Sequence, residues 1–276
     1  MSIDLLRQNS TTLAQKWLVF VFSSPGIYTG CTVSSKKYRN KPCAYCGEPS
    51  IGPDHVVARK FFLPSDRDHL PQVPACDVCN GQKSALETEL LALLPFGGRH
   101  ESARRNLQEM VPSRLEKNRR LHRRLGQGQG RIWVEHGGLL VPTMTLPVPG
   151  EQLINLFKWI TRGLVWFHWR MRLTHDHELT VLTLTKAGEK IFDRQFALRA
   201  ANRAQKDLKS GTFWYEGAQA GDDPAVTIWR FSIFGGVQFG DPDVPGEVAS
   251  RIGVMTGSKT IREDATRAVR FGVRQP

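Results

Sequence analysis

Hydrophobic residues recur at helical spacing in two stretches of the chain. In residues 80–94 the apolar positions on one helix face are Leu86, Leu90, Leu93 and Leu94. In residues 151–169 a stripe with a period of 3.6 is formed by Leu153, Leu156, Phe157, Ile160, Leu164 and Phe167. We therefore predict an amphipathic helix over each stretch, with its apolar stripe against a core.

Other runs are rich in β-branched and aromatic residues, which is typical of strands. These runs are DHVVARKFF at 54–62, ELTVLTL at 178–184, TFWYEG at 212–217 and VTIWRFSIF at 226–234. A hairpin is predicted over RIWVEHGGLLVP at 131–142, because Gly137 and Gly138 suit a tight turn. Residues 186–208 are predicted to form one basic helix. Together the elements predict the α+β fold class.

Composition adds a strong positive charge to this picture. The chain of 276 residues has a formal net charge of +12. A balance of this kind favours a polyanionic partner, most often nucleic acid. Residues 99–131 alone hold ten Arg or Lys against three Glu. No apolar run approaches the ~20 residues that span a bilayer, and no export signal is recognisable, so we expect a cytoplasmic protein without a membrane segment.

Composition shifts predict four regions. They are an N-terminal helical extension at 1–35, a compact cysteine-containing unit at 36–98, a basic helical linker at 99–130 and an α+β domain of unknown role at 131–276. The GQGQG run at 126–130 marks the last boundary, since glycine-rich segments form flexible linkers.

Four of the five cysteines form two CxxC pairs, Cys43 with Cys46 and Cys76 with Cys79. Two such pairs in a chain without an export signal favour one structural Zn²⁺ held by four thiolates. The alternative is two pairs of buried or disulfide-bonded cysteines. Cys31 is left over as a free thiol. A closed site of four thiolates performs no hydrolysis, so any reaction must come from the residues between the two pairs.

The order of residues within this unit resembles a known family. Asp54-His55-Val56 follows the first CxxC, and VPAC then leads into Cys76-x-x-Cys79-Asn80, with Lys83 beyond. This pattern resembles the zinc-stabilised, four-cysteine branch of the HNH endonucleases, whose nuclease core is a ββα-metal fold. The resemblance covers about residues 43–90 and implies a zinc-clipped ββα-metal (HNH/treble-clef-like) unit followed by a larger mixed α+β domain.

The resemblance also implies the roles of individual side chains. His55 would be the general base, Asp54 and Asn80 would hold one catalytic Mg²⁺ or Mn²⁺, and His69 stands where the family usually has an Asn. A neutral imidazole suits proton transfer from water, and oxygen ligands suit a hard cation. The alternatives are structural: Asp54 and His55 could cap a turn, His69 could be a surface residue, and Asn80 could be a helix N-cap.

Several basic residues are candidates for phosphate contact. They are Arg59, Lys60, Lys83, Arg119, Arg120, Arg123 and Arg124. The expected function is a metal-dependent endonuclease that hydrolyses DNA, with RNA left open as a substrate. The main alternative is a non-catalytic zinc module that binds nucleic acid, and a third is a structural adaptor whose aromatic C-terminal region binds protein.

Overall fold

The structure is a computed structural model that describes residues 37–136, 138–174, 176–198, 202–209, 211–240 and 248–258. The N-terminal helical extension and the free thiol of Cys31, both predicted from the sequence, lie outside these residues. The described part is a mixture of helices and antiparallel sheets, in agreement with the α+β prediction.

Residues 52–93 contain the predicted order of strand, strand and helix. Strand β1 (Gly52–His55) pairs antiparallel with strand β2 (Gln72–Ala75), and helix α1 spans Asp77–Leu93. Short 3-10 turns lie at Arg59–Phe61, Pro64–Asp66 and Leu94–Gly97.

Two predicted boundaries in this region are wrong. The run DHVVARKFF is a strand only as far as His55, because the chain bends at Val56 and Val57 and then enters the 3-10 turn at Arg59–Phe61. Helix α1 begins three residues before the predicted start at 80. It does so because Cys76 caps it, with Sγ accepting a hydrogen bond from the backbone N–H of Cys79 at 3.5 Å.

The basic region forms three short helices. They are α2 (Glu101–Glu109), α3 (Val111–Lys117) and α4 (Arg119–Gln127). Asn118 caps α4, since its Oδ1 accepts a hydrogen bond from Leu121 N–H at 3.0 Å. The apolar residues of α3 and α4 pack against Ala92 and Leu93 of α1. The basic side chains of α4 consequently face solvent.

The predicted hairpin is present as β3 (Gly130–His136) and β4 (Leu139–Thr145). It carries several large apolar side chains that are exposed to solvent. They are Trp133, Leu139, Leu140, Val141 and Met144.

A five-stranded antiparallel sheet forms the rest of the core. Its strands are β5 (His177–Leu184), β6 (Arg203–Leu208), β7 (Phe213–Gln219), β8 (Thr227–Ile233) and β11 (Arg251–Ser258), and their order across the sheet is β5-β11-β8-β7-β6. A separate pair joins β9 (Phe239–Gly240) to β10 (Val248–Ala249). The helices of this region are α5 (Gly150–Trp169) and α6 (Lys186–Leu198). The single basic helix predicted over 186–208 is wrong, because the chain leaves α6 and returns as an edge strand of the sheet.

Alternation along β8 places the two helices on opposite faces of the sheet. Phe231 packs on Phe157 of α5, with ring centroids 5.1 Å apart. The preceding residue, Arg230, points to the opposite face of the sheet, where its Nη1 lies 2.7 Å from Oδ1 of Asp193 in α6.

The cysteine-containing unit and the sheet share one hydrophobic core through α5. The ring of Tyr45 meets Trp159 of α5 edge to face, with centroids 4.9 Å apart. Gly163 allows the close approach, because a Cβ on it would lie 2.9 Å from Cγ1 of Val56. Residues on both sides of the predicted boundary near 130 therefore pack together. None of the helices in the described ranges has the length and hydrophobicity needed to span a bilayer.

Candidate metal centre and histidine site

The first cysteine pair lies on a tight backbone turn. The N–H of Cys43 donates to the carbonyl oxygen of Glu48 at 2.8 Å, and the N–H of Gly47 donates to the carbonyl oxygen of Cys43 at 3.0 Å. Gly47 adopts φ +94°, a left-handed conformation that glycine tolerates without steric cost. The turn directs both thiols to the same side, as a CxxC metal knuckle requires.

The second pair lies at the start of α1, where Cys76 is the N-cap and Cys79 is in the first turn. The unpaired N–H groups and the dipole of a helix N-terminus favour negative charge. Burial nevertheless raises the pKa of Cys79, with hydrogen bonds to the thiols of Cys76 and Cys46 as smaller causes, so a bound cation would be needed to keep this thiol deprotonated.

The four thiols meet in one cluster. The Sγ atoms of Cys43, Cys46, Cys76 and Cys79 all lie within 4.8 Å of one another, and those of Cys46 and Cys76 are 3.6 Å apart. Two thiolates on one tetrahedral Zn²⁺ would be about 3.8 Å apart, given Zn–S bonds of about 2.3 Å. The cluster could hold a metal ion such as zinc. Cys46 alone is exposed, and the other three are buried.

Two arginines lie beside the cluster. Burial lowers the pKa of Arg162 of α5, and the nearby charge of Cys79 partly offsets this effect. Arg172 covers the first turn, because a Cβ on Gly47 would lie 2.4 Å from its Nη1. Four thiolates and one Zn²⁺ carry a net charge of −2, so these guanidinium groups would offset the charge of a filled site.

Asp54 points into the core. Its Oδ2 accepts a hydrogen bond from the hydroxyl of Tyr45 at 2.7 Å, and the ammonium of Lys83 lies 3.2 Å from Oδ2 and 3.4 Å from Oδ1. Both oxygens of the carboxylate are thus engaged by protein groups. Burial and the neighbouring Asp54 carboxylate hold the pKa of Tyr45 well above its usual range, so its hydroxyl remains a donor.

Lys83 is the most deeply buried charged residue of this unit, at 1 % exposure. Besides Asp54, its Nζ donates to the carbonyl oxygen of His55 at 2.6 Å and to Oε1 of Glu87 at 2.6 Å. The three N–H bonds of the ammonium are therefore all used inside the protein. Lys83 therefore joins α1 to β1. The sequence predicts a phosphate contact for Lys83, but its charge is not turned to solvent.

His55 faces the opposite side of β1 from Asp54, as adjacent residues of a strand do. Its Nε2 lies 3.3 Å from Nε2 of Gln72, its cross-strand partner, and its Nδ1 is buried with no hydrogen-bond partner. Burial, followed by the nearby charge of Arg59, lowers the pKa of His55 to about 4. The imidazole is therefore neutral at pH 7.

The other two predicted site residues occupy different positions. His69 lies on the exposed loop before β2, with φ +58°. Asn80 is half-buried in the first turn of α1, one turn before Lys83, and its N–H donates to the carbonyl oxygen of Cys76 at 3.1 Å. Asn80 is not the N-cap, since that position belongs to Cys76.

The predicted phosphate contacts other than Lys83 are exposed. Arg59 and Lys60 lie on the 3-10 turn that follows β1. The exposed arginines of α4 are Arg119, Arg120, Arg123 and Arg124. Arg124 forms an ion pair with Glu89 of α1. The first three leave a basic helix face turned to solvent.

Several residues of the site were not predicted from the sequence. Tyr45 hydrogen-bonds to the buried Asp54, and Glu87 pairs with the buried Lys83. Arg162 lies beside the thiols. The spacing of Lys83 and Glu87, four residues apart on a helix, is a local signal that could have revealed their pairing. Tyr45 and Arg162 carry no such signal, because their partners are distant in sequence.

Comparison of the chain with known protein families, with curated proteins and with solved structures finds no match. The resemblance to HNH endonucleases therefore rests on the sequence pattern of residues 43–90 alone.

Proposed function

We propose that this protein cleaves nucleic acid phosphodiester bonds, with His55 as the general base and a structural Zn²⁺ on the four cysteines. DNA is the first substrate to test. The observation that carries the proposal is the environment of His55. It is a neutral, partly buried imidazole at the end of β1, where burial, and then the cations Arg59, Lys83 and Lys37, lower its pKa.

A cationic surrounding of this kind suits a phosphate group. A phosphodiester brings negative charge next to the imidazole, and this charge favours the protonated form. Binding of substrate would thus raise the pKa of His55 from about 4 toward neutrality, where a general base is most effective. The exposed guanidinium of Arg59 would offset the charge that develops on the phosphate oxygens.

The structural Zn²⁺ has a limited part in this proposal. Cys43, Cys46, Cys76 and Cys79 would hold it and leave no open position, so it would supply folding free energy and no chemistry. Its effect would be to fix β1 and β2 against α1, and with them the position of His55.

The divalent cation that the resemblance implies does not fit Asp54 in this arrangement. Both carboxylate oxygens are engaged by Tyr45 and Lys83, and the side chain is buried. The proposal therefore assigns no step to a cation at Asp54.

The occupied carboxylate favours a second candidate function, a zinc module that binds nucleic acid without cleaving it. In that case the exposed arginines of α4, with Arg59 and Lys60, would supply salt-sensitive contacts to the backbone.

Cleavage assays on supercoiled plasmid, linear duplex and single-stranded RNA separate the two candidates. Wild type, His55→Ala and His177→Ala are compared with Mg²⁺, with Mn²⁺ and without added cation. His177 is the matched control, because it lies at the start of β5 and its Nδ1 accepts a hydrogen bond from Thr174 N–H at 3.1 Å. We expect wild type and His177→Ala to cleave and His55→Ala to bind without cleaving. Binding by all three with no cleavage would favour the binding module.

A further inference from the structure

The ammonium of Lys83 lies among oxygen atoms in the way a bound cation does. The carbonyl oxygen of His55 and Oε1 of Glu87 are each 2.6 Å from Nζ, and the two oxygens of Asp54 are 3.2 and 3.4 Å away. Carboxylate and carbonyl oxygens are also the ligands of Mg²⁺, Mn²⁺ and Ca²⁺ in proteins.

Charge explains why a cation belongs at this position. Asp54 and Glu87 bring two carboxylates into a region where Lys83 has only 1 % of its surface exposed. Buried carboxylates without a cation are strongly unfavourable. Lys83 supplies one positive charge and three N–H donors, and it lies one helical turn before Glu87.

The same arrangement opposes a second cation at Asp54. A Mg²⁺ bound to Oδ2 at about 2.1 Å would lie no more than about 5.3 Å from the ammonium. At that distance, in a buried region, the two positive charges would repel each other strongly. Tyr45 also donates to Oδ2 at 2.7 Å and would have to give up its hydrogen bond.

We infer that the Lys83 ammonium occupies the cation position beside Asp54, so that the folded protein binds no divalent cation through this carboxylate. The inference rests on the proposed function for the choice of Mg²⁺ and Mn²⁺ as the relevant ions. The family resemblance implies that Asp54 binds a divalent cation, whereas the inference assigns Asp54 to the Lys83 ammonium. The site carries its own cation, covalently attached to α1.

The experiment measures Mn²⁺ binding without any substrate, so that loss of nuclease activity cannot decide it. Zinc-loaded wild type and Asp54→Asn are titrated with Mn²⁺, and the free ion is followed by electron paramagnetic resonance. We expect the two proteins to bind Mn²⁺ equally weakly, with any binding due to exposed acidic groups. Tight binding by wild type that Asp54→Asn reduces tenfold or more would overturn the inference.

A second variant tests the ammonium itself. Lys83→Met keeps the approximate length of the side chain and removes its charge, which leaves the oxygens of Asp54, Glu87 and His55 available. We expect Lys83→Met to bind one Mn²⁺ at least tenfold more tightly than wild type, and the double variant Lys83→Met with Asp54→Asn to lose that gain. A folded Lys83→Met protein with no gain would contradict the inference. Should Lys83→Met fail to fold, the comparison of wild type with Asp54→Asn still decides.

Discussion

The hydroxyl of Tyr45 lies 2.7 Å from Oδ2 of Asp54, and this hydrogen bond joins the first cysteine turn to strand β1 within the core. Replacement of Tyr45 by Phe leaves a buried carboxylate without one of its donors. We expect Tyr45→Phe to lower the free energy of unfolding by about 1–3 kcal/mol. Urea denaturation at pH 7 measures the change.

Tyr38→Phe is the matched control for this change. The Tyr38 hydroxyl lies 3.5 Å from the carbonyl oxygen of Gln72, which is too long for a strong hydrogen bond. Its removal should cost less than about 0.5 kcal/mol. Equal losses of stability in the two variants would show that the bond to Asp54 contributes nothing particular to stability.

The cysteine cluster predicts one tightly bound metal ion per chain. We expect metal analysis of the reduced protein to give one zinc, and Cys76→Ser to lose both the zinc and the cooperative unfolding transition, because binding free energy at such a site is folding free energy. Cys31→Ser, which changes the cysteine outside the two pairs, should retain both. A Cys76→Ser protein with the wild-type melting temperature would argue against a structural metal.

The exposed face of α4 predicts salt-dependent binding of nucleic acid. We expect the triple variant Arg119→Ala, Arg120→Ala, Arg123→Ala to bind duplex DNA more weakly. The slope of log K against log salt should decrease in magnitude by about 0.9 for each phosphate that the variant no longer neutralises. Fluorescence anisotropy at several salt concentrations gives the slope.

A double variant on α2 controls for the removal of positive charge alone. Arg104 and Arg105 are exposed, and they form ion pairs with Glu101 and Glu109. Their replacement by Ala should leave the salt slope near that of wild type. The prediction for α4 fails if the two sets of substitutions weaken binding equally.

Replacement of a helical glycine by alanine should have opposite effects on stability at Gly163 and at Gly188. A Cβ on Gly163 would lie 2.9 Å from Val56 and 3.2 Å from the hydroxyl of Tyr45, whereas the nearest atoms to a Cβ on Gly188 are 3.6 Å away. Gly163→Ala should destabilise the protein by about 1–3 kcal/mol through overpacking. Gly188→Ala should stabilise it by up to about 1 kcal/mol through helix propensity. Thermal unfolding of both variants tests the difference in sign.

The lowered pKa of His168 predicts that the protein becomes less stable as the pH falls. Its Nε2 lies 2.9 Å from the hydroxyl of Tyr215, and burial lowers its pKa to about 4, with a smaller contribution from Lys206. The unfolded chain, with a histidine pKa near 6.5, takes up the proton first as the pH falls. The contribution of His168 to stability is therefore fully present above about pH 6.5 and declines progressively down to about pH 4.

Chemical denaturation between pH 7 and pH 4.5 measures this dependence. His168→Gln should have a shallower slope than wild type, by less than about 1 kcal/mol per pH unit because the ring is only partly shielded from solvent. Between pH 7.5 and 8.5 the two slopes should coincide. Parallel curves over the acid range would show that His168 is not a source of the decrease.

The parts of the site that the sequence predicts are those set by local spacing. The CxxC pairs identify the thiol cluster, and the stripe from Leu153 to Leu164 identifies α5 and its buried face. Strand β11 was not predicted, because RIGVMTGS contains two glycines and lacks a clear alternation. Gly253 is nevertheless suited to its place, since a Cβ there would lie 2.7 Å from Leu184 and Phe192.

The position of Lys83 could not be predicted, because a sequence gives the charge of a lysine but not its exposure. Its partner Asp54 is 29 residues away and becomes a neighbour only when β1 and α1 pack together. The sequence therefore favours a surface role in phosphate contact, and the fold gives the same residue an internal one.

The contact between Gly163 and Val56 joins the cysteine unit to the helix that covers the sheet. If the four cysteines hold zinc as proposed, loss of the metal would disorder the cysteine unit. That disorder would spread to the aromatic core around Trp229. The folded fraction of the whole chain would then depend on the concentration of free zinc. A cell short of zinc would therefore hold less folded protein, so the supply of one trace element would limit its amount.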